Sequence, residues 1–451
     1  MSVTISGLFP KIFAISPRES VGRAFRRRRP RRRPIRFGPK LRSSDVRRVL
    51  LYAQDSKGMG HVTRTLTIAR HLLAAYPNAH AYIATESPIT AELSLPSRCD
   101  YVKLPTHWLS WQDHEEDTEH LRDNRARLLR RIALRIAPDL VVVDHEPVGH
   151  KGEFRAGLLA LKAWCPSTKF VFGLRDIMDD AGRIRNQWKE LGVYQALETV
   201  YDGIAVFGDR SIYDIAAACD LPPSIRSKLH YCGYIVRDPP GVVAADVRKQ
   251  YGLAGDGPLV VATVGGGSDG YPVLEATLDA LDRLEAAHPG LSAILVTGPL
   301  MPAAHQAKLR TRASAKRRIV SRADNFTLVS VADAVVSMGG YNSVCEALFV
   351  GKPLVIVPRV QHKLEQRIRA ETMAAKGVAR WVHPRDLNGS TLGEALDWAL
   401  RCDRRMHARR VREAIPSFDG ASHLTSYLAQ WLGNGHTGPV PAGELQSVPA
   451  A

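Results

Sequence analysis

Two glycine-rich turns about seventy residues apart carry the clearest chemistry in this chain. One follows the apolar run 259–264 and reads Gly265-Gly266-Gly267-Ser268-Asp269-Gly270; the other follows 334–338 and reads Gly339-Gly340-Tyr341-Asn342-Ser343. A turn without bulky side chains at a helix start lets backbone N–H groups face an anion, which the helix dipole also favours. Two such turns in one α/β domain suit a ligand with a diphosphate at one end and hydroxyls at the other, most simply a nucleotide-sugar. The first turn also fits Gly-x-Gly-x-x-Gly, but a dinucleotide site wants an acid at the end of the next strand. That strand ends Val296-Thr297-Gly298-Pro299, so a nicotinamide cofactor is not expected. An acid stands instead in the helix after the second turn. Glu346 could accept from both ribose hydroxyls there, or simply serve the helix dipole, and Ser343 could cap the helix or bond a phosphate oxygen.

The elements that must position these groups alternate short β-branched runs with longer amphipathic stretches, the pattern of a doubly wound α/β fold. Strands are expected at 49–52, 81–84, 101–104, 140–143, 170–172 and 204–207, then at 259–264, 293–296, 318–320, 334–338 and 353–357. Leu121, Leu128, Leu129, Ile132 and Ile136 share one face of a helix that Pro138 ends. The stretch 232–240, with one glycine and two prolines, reads as a linker. The expected organisation is a leader at 1–45, an N-terminal Rossmann-like domain at 46–235, a C-terminal one at 236–432 and a flexible tail at 433–451.

The net charge of +17 over 451 residues would suggest nucleic acid, until it is located. Residues 1–48 hold fifteen basic and two acidic side chains, whereas the other 403 hold 47 basic and 43 acidic. The globular part is nearly neutral, so nucleic acid is not an expected partner. The arginine block 26–33 repels itself and contains proline, which predicts disorder; anionic lipid or RNA are the alternatives. The six cysteines include no Cys-x-x-Cys pair, favouring reduced thiols and a cytoplasmic setting. His107, Asp113, His114, Glu115, Glu116, Asp117 and His120 match no standard zinc spacing, so no metal or other cofactor is expected.

Gly339 to Glu346, then Gly351-Lys352-Pro353, Val357-Pro358-Arg359, Glu365-Gln366 and Arg369-Ala370, resemble the donor half of GT-B glycosyltransferases. More narrowly, they resemble relatives of the family 28 enzyme that adds N-acetylglucosamine to the lipid-linked peptidoglycan precursor. The run Gly265, Gly266, Gly267, Ser268 resembles that family's diphosphate loop. The resemblance spans roughly 48–400 in order of elements and is specific over 264–370. It implies two Rossmann-like domains facing a cleft, with Gly340 and Ser343 on the diphosphate, Glu346 on the ribose, and Glu365 and Gln366 on donor-sugar hydroxyls. Arg359 is a candidate phosphate partner. The stretch 359–364 departs from the peptidoglycan enzyme, so the sugar stays open.

In the N-terminal half, Ser56-Lys57-Gly58-Met59-Gly60-His61-Val62-Thr63-Arg64 resembles the family's glycine-rich loop ending in histidine. Gly58 and Gly60 would let substrate approach, and Arg64 would serve the same loop. A neutral His61 imidazole could take a proton from an acceptor hydroxyl; capping the first helix or orienting the donor phosphate are the alternatives. Asp144 is a second candidate base or an orienter of His61, and Arg175 a contact for acceptor or phosphate; ion pairs that merely seal the strand ends are the alternative for both. The chain has no Asp-x-Asp triplet, so helix N-termini and cations would neutralise the leaving diphosphate.

The expectation is a metal-independent inverting glycosyltransferase with a UDP-sugar as co-substrate. A nucleotide-sugar 2-epimerase or hydrolase, and a non-catalytic sugar-nucleotide or RNA-binding protein, are the alternatives. Lipid-linked and polysaccharide acceptors both stay open; a lipid-linked one would bring the enzyme to the inner membrane face, where Trp108 and Trp111 could make contact, a buried aromatic pair being the more ordinary reading.

Overall fold

Thirteen strands in two parallel sheets organise the residues that the computed structural model describes, namely 46–55, 60–87, 94–106, 115–360 and 364–433, with backbone alone for 115–118. The leader, the tail beyond Gly433, Gly58 and the segment 107–114 fall outside them.

The first sheet contains β1 (Arg47–Ala53), β2 (Ala79–Thr85), β3 (Cys99–Lys103), β4 (Leu140–Asp144), β5 (Lys169–Arg175), β6 (Gly203–Phe207) and β7 (Leu229–Tyr231). Its order is β3-β2-β1-β4-β5-β6-β7. The second contains β8 (Leu259–Thr263), β9 (Ser292–Val296), β10 (Arg317–Val320), β11 (Ala334–Ser337), β12 (Leu354–Ile356) and β13 (Ala379–Trp381), in the order β10-β9-β8-β11-β12-β13. Strands β4, β6, β8, β9 and β11 are buried at every residue, which is why they read as unbroken apolar runs rather than alternating ones.

Each sheet reverses its order of addition once, between β1 and β4 and between β8 and β11. A crevice opens at such a switch point, beyond the carboxyl ends of the strands, and ligands bind there. His61 opens the helix that follows β1, Asp144 ends β4, and the loops leaving β8 and β11 carry the 265–270 and 339–343 turns. All four motifs therefore lie at or beyond the carboxyl ends of the strands that flank a switch point.

Two strands were not expected from the sequence. β7 and β13 are three-residue edge strands, each with a polar residue at its centre (His230 and Arg380), too short for a period-two pattern to register. The last helix, Gly420–Leu432, returns to the first half: Leu424 and Leu428 share a core with Leu72 and Leu73 of the helix Gly60–Ala75. The Tyr76 hydroxyl reaches the Thr425 carbonyl at 3.5 Å.

Candidate functional site

The helix Gly60–Ala75 is the next described element after β1, and Asp55 caps it. One Asp55 oxygen accepts from the His61 amide at 3.2 Å and the other from the Val62 amide. Burial pushes this carboxyl up to about 6, against the pull of His61 and the two amides. Capping by His61 is thus overturned, and the imidazole is left for other work. Its Nδ1 lies 2.8 Å from Asp144 Oδ2 at the end of β4, with the His61 side chain 18% exposed and Asp144 buried.

Arg64, one turn along the same helix, donates from Nη2 to both Asp144 oxygens at 2.9 and 2.6 Å. That nitrogen also lies 2.8 Å from His61 Nδ1. With both Arg64 Nη2 hydrogens on the carboxylate, a hydrogen on Nδ1 would point to Asp144 and the Nε2 lone pair would face outward; the opposite tautomer would accept from Arg64 instead. Burial pushes the Asp144 carboxyl up, but Arg64 and His61 more than reverse it, and the group ends below the usual carboxylate range. An acid so held is a poor base. Of the two roles expected for Asp144, the geometry supports the orienter.

His145 follows Asp144 with φ at +74°, an uncommon conformation for a non-glycine residue, and its ring packs 4.6 Å from that of His61. Arg175, at the end of β5, lies 3.3 Å from His145 Nδ1 and 2.9 Å from Glu365 Oε2 of the other half. Burial lowers the Arg175 pKa and Glu365 raises it again, with the net below the usual value.

The two halves meet where the helix starts do. Asn342 Nδ2 donates to the Gly60 carbonyl at 3.2 Å, and the Arg64 guanidinium sits 5.1 Å over the Tyr341 ring. Arg369, buried in the helix Glu365–Ala375, donates to the Gly339 carbonyl at 2.7 Å and to Ile177 of the first half at 3.2 Å. His61 therefore stands beside the β11 turn, though it does not line the cleft that this turn helps to form.

That cleft, of about 1020 Å³, is lined by Gly265 to Asp269, Gly340, Ser343, Arg359, Glu365 and Gln366, with Val264, Leu300, Met338, Val357 and Leu387 among its apolar residues. Its size and mix of apolar wall and few polar groups are those of a small-molecule site. Gly267 has φ at +91°, and a Cβ there would stand 1.9 Å from the Thr297 carbonyl oxygen, so the first turn must be glycine for its packing as well as its reach. At Gly340, the N-cap of the helix Tyr341–Phe349, no side-chain cap bond forms and a Cβ would meet open space. Ser343 is thus not the N-cap; it lines the cleft as the third residue of the helix. Gln366 Oε1 accepts from the Arg359 amide at 2.9 Å, and Arg359 in turn pairs with Asp269.

Glu346 sits one turn below Ser343 on the same helix face but does not line the cleft. It is buried, with Oε1 accepting from Arg237 Nε at 2.9 Å, and Arg237 also pairs with Asp324. Burial raises the Glu346 carboxyl and Arg237 only partly offsets it. Arg237 and Asp55 are the site residues that sequence reasoning missed. Arg237 lay hidden in what reads as a linker; Asp55 was legible as an acid between a strand and a helix start. Among the described residues no group of three or more His, Cys, Asp or Glu is placed to hold a metal ion, and no helix is long and apolar enough to cross a membrane.

Residues 261–418 match the glycosyltransferase family 28 C-terminal domain. The chain is 26% identical over 199 residues to an uncharacterized glycosyltransferase of Methanopyrus kandleri, covering 43% of this chain and 54% of the relative. It is 32% identical over 187 residues, 40% of this chain and 45% of the relative, to the UDP-N-acetylglucosamine–N-acetylmuramyl-(pentapeptide) pyrophosphoryl-undecaprenol N-acetylglucosamine transferase of Rhodococcus opacus. The chain spans about half the length of the relatives it matches. In structure it resembles Phytolacca americana UGT2 complexed with UDP-2-fluoro-glucose and pterostilbene, with a TM-score of 0.61 at 16% identity over 86% of this chain and all of the other. The two-sheet architecture is the GT-B fold.

Proposed function

We propose that this chain, whose residues 261–418 carry a glycosyltransferase family 28 C-terminal domain, moves a hexose or N-acetylhexosamine from a UDP-sugar to an acceptor hydroxyl with inversion and without a metal ion. The observation that carries this reading is the juxtaposition of the His61–Asp144 pair with the turn whose Gly340 and Ser343 line the cleft. The family match and the UDP-sugar relatives support the donor class.

The donor's diphosphate would lie against the amides of the 265–268 and 340–343 turns, the sugar toward Glu365 and Gln366, and the ribose toward Glu346. For Glu346 to reach a ribose, Arg237 would have to share it or release it. His61 Nε2 would take the acceptor proton as the acceptor oxygen bonds to the anomeric carbon. The bond from that carbon to the phosphate oxygen breaks, and its electron pair leaves with UDP. Asp144 would hold the imidazolium, and the helix starts with Arg359 would stabilise the charge gathering on the leaving group. An acceptor hydroxyl attacking opposite the leaving group inverts the configuration. A lipid-linked acceptor, as for the peptidoglycan relatives, would place the protein at the cytoplasmic membrane surface.

The test is His61→Ala. Turnover should fall by about two to four orders of magnitude while UDP still raises the melting temperature as it does for the wild type. Loss of UDP binding together with turnover would defeat the base assignment. Product formed from a UDP-sugar without acceptor would instead point to hydrolysis or epimerisation.

A further inference from the structure

For a site that would hold a diphosphate, the described lining of the cleft is poor in positive charge. The charged side chains among its described lining residues are Asp269, Arg359 and Glu365. Glu365 faces Arg175, and Asp269 stands in the very turn whose amides would meet phosphate. An uncompensated carboxylate there would repel the ligand. Arg359 compensates it in a particular geometry. Its Nε and Nη2 fork onto the two Asp269 oxygens, the Nη2 bond being 2.7 Å, while its own amide is fixed by Gln366. The strands concerned lie side by side in the order β8-β11-β12, so the pair bridges from the loop after β8 to the loop after β12, across the intervening β11 turn. A guanidinium has five N–H groups. Side-on pairing to one carboxylate spends Nε and half of Nη2, leaving Nη1 for a second anion.

We propose that Asp269 is a positioning residue: it holds Arg359 across the cleft mouth so that the Nη1 edge meets the donor's second phosphate. This rests on the nucleotide-sugar reading and assigns one part of that site. A long arginine side chain otherwise loses rotamer freedom on binding, and a carboxylate that fixes it in advance removes that cost. Both partners stay roughly two-fifths exposed, so the pair adds little to folding and can be altered without unfolding the protein.

The experiment is calorimetric titration of UDP and UMP onto the full chain and its Asp269→Asn, Asp269→Glu and Arg359→Gln variants, with melting temperatures checked. The wild type should prefer UDP to UMP. Asp269→Asn should weaken UDP about five- to tenfold and UMP by less than about twofold, with Asp269→Glu restoring part of the difference. Arg359→Gln should show the same selective loss, and the double variant no more than either alone. UDP binding by folded Asp269→Asn as tight as wild type, or tighter, overturns the assignment, because the carboxylate would then be a bystander or a competitor of phosphate. A wild type that binds neither nucleotide overturns the donor reading itself, and the assignment with it.

Discussion

The two halves build their shares of the proposed site by opposite means. The first presents buried side chains: Asp144 and Arg64 lie out of solvent, and His61 rests against both. The second presents mainly backbone and glycine, with its charged pair, Arg359 and Asp269, left partly in water. The difference follows from the tasks proposed for them. Proton transfer needs one nitrogen held in one tautomer, which desolvated groups joined by charge-assisted hydrogen bonds can enforce. Holding a diphosphate needs many weak donors at a fixed spacing, which turn amides supply without conformational entropy of their own. Damage to the first half should therefore show in rate and not in donor binding, and damage to the second in donor binding.

Asp144→Asn tests the first part hardest. An amide in place of the carboxylate removes the charge that orients His61 and leaves Arg64 buried without its counter-ion. Turnover should fall by about two to four orders of magnitude, with UDP binding within about threefold of wild type. The uncompensated Arg64 should also cost about 3–5 kcal/mol of stability in a denaturant titration. A variant of undiminished rate would dissolve the contrast between the halves. Gly267→Ala probes the other side. Its Cβ would enter the space of the Thr297 carbonyl, and alanine resists a φ of +91°, so a loss of about 3 kcal/mol is expected, read as a lower unfolding midpoint. An unchanged midpoint would mean that the two loops separate freely and that the turn is not held as described.

How much of this was legible beforehand differs between the halves for the same reason. Backbone-built sites announce themselves in sequence, because glycine is needed where a turn or a close approach excludes Cβ; the 265–270 and 339–343 turns are visible as text. The strands beside them were equally visible, since β8 and β11 are buried along their whole length. Side-chain networks assemble residues far apart in the chain. His61 and Asp144 are 83 positions apart, and Arg237 and Glu346 are 109 apart, so no local pattern records either pair. The Arg237 pairing in particular could not be read, because proline and glycine around it spoke only for a linker. Edge strands β7 and β13 escaped because three residues carry no periodicity.

A last expected effect is one of pH, and it separates two carboxylates that serve the same histidine. Asp144 is held below its ordinary range by Arg64 and His61, so the stability it contributes is present above its unfolded pKa and is lost as pH falls through the folded value. Asp55 runs the other way. Burial raises it from 3.8 to about 6, so its folded form binds a proton more readily than its unfolded form. Its contribution is then complete below about 3.8 and declines as pH rises through about 6. Between those values the wild-type urea midpoint should carry a downward slope with rising pH that Asp55→Asn lacks, because asparagine still caps the helix but does not titrate. If wild type and variant trace parallel curves from pH 4 to 7, Asp55 is ionised throughout, and the helix bearing His61 is capped by a permanent charge.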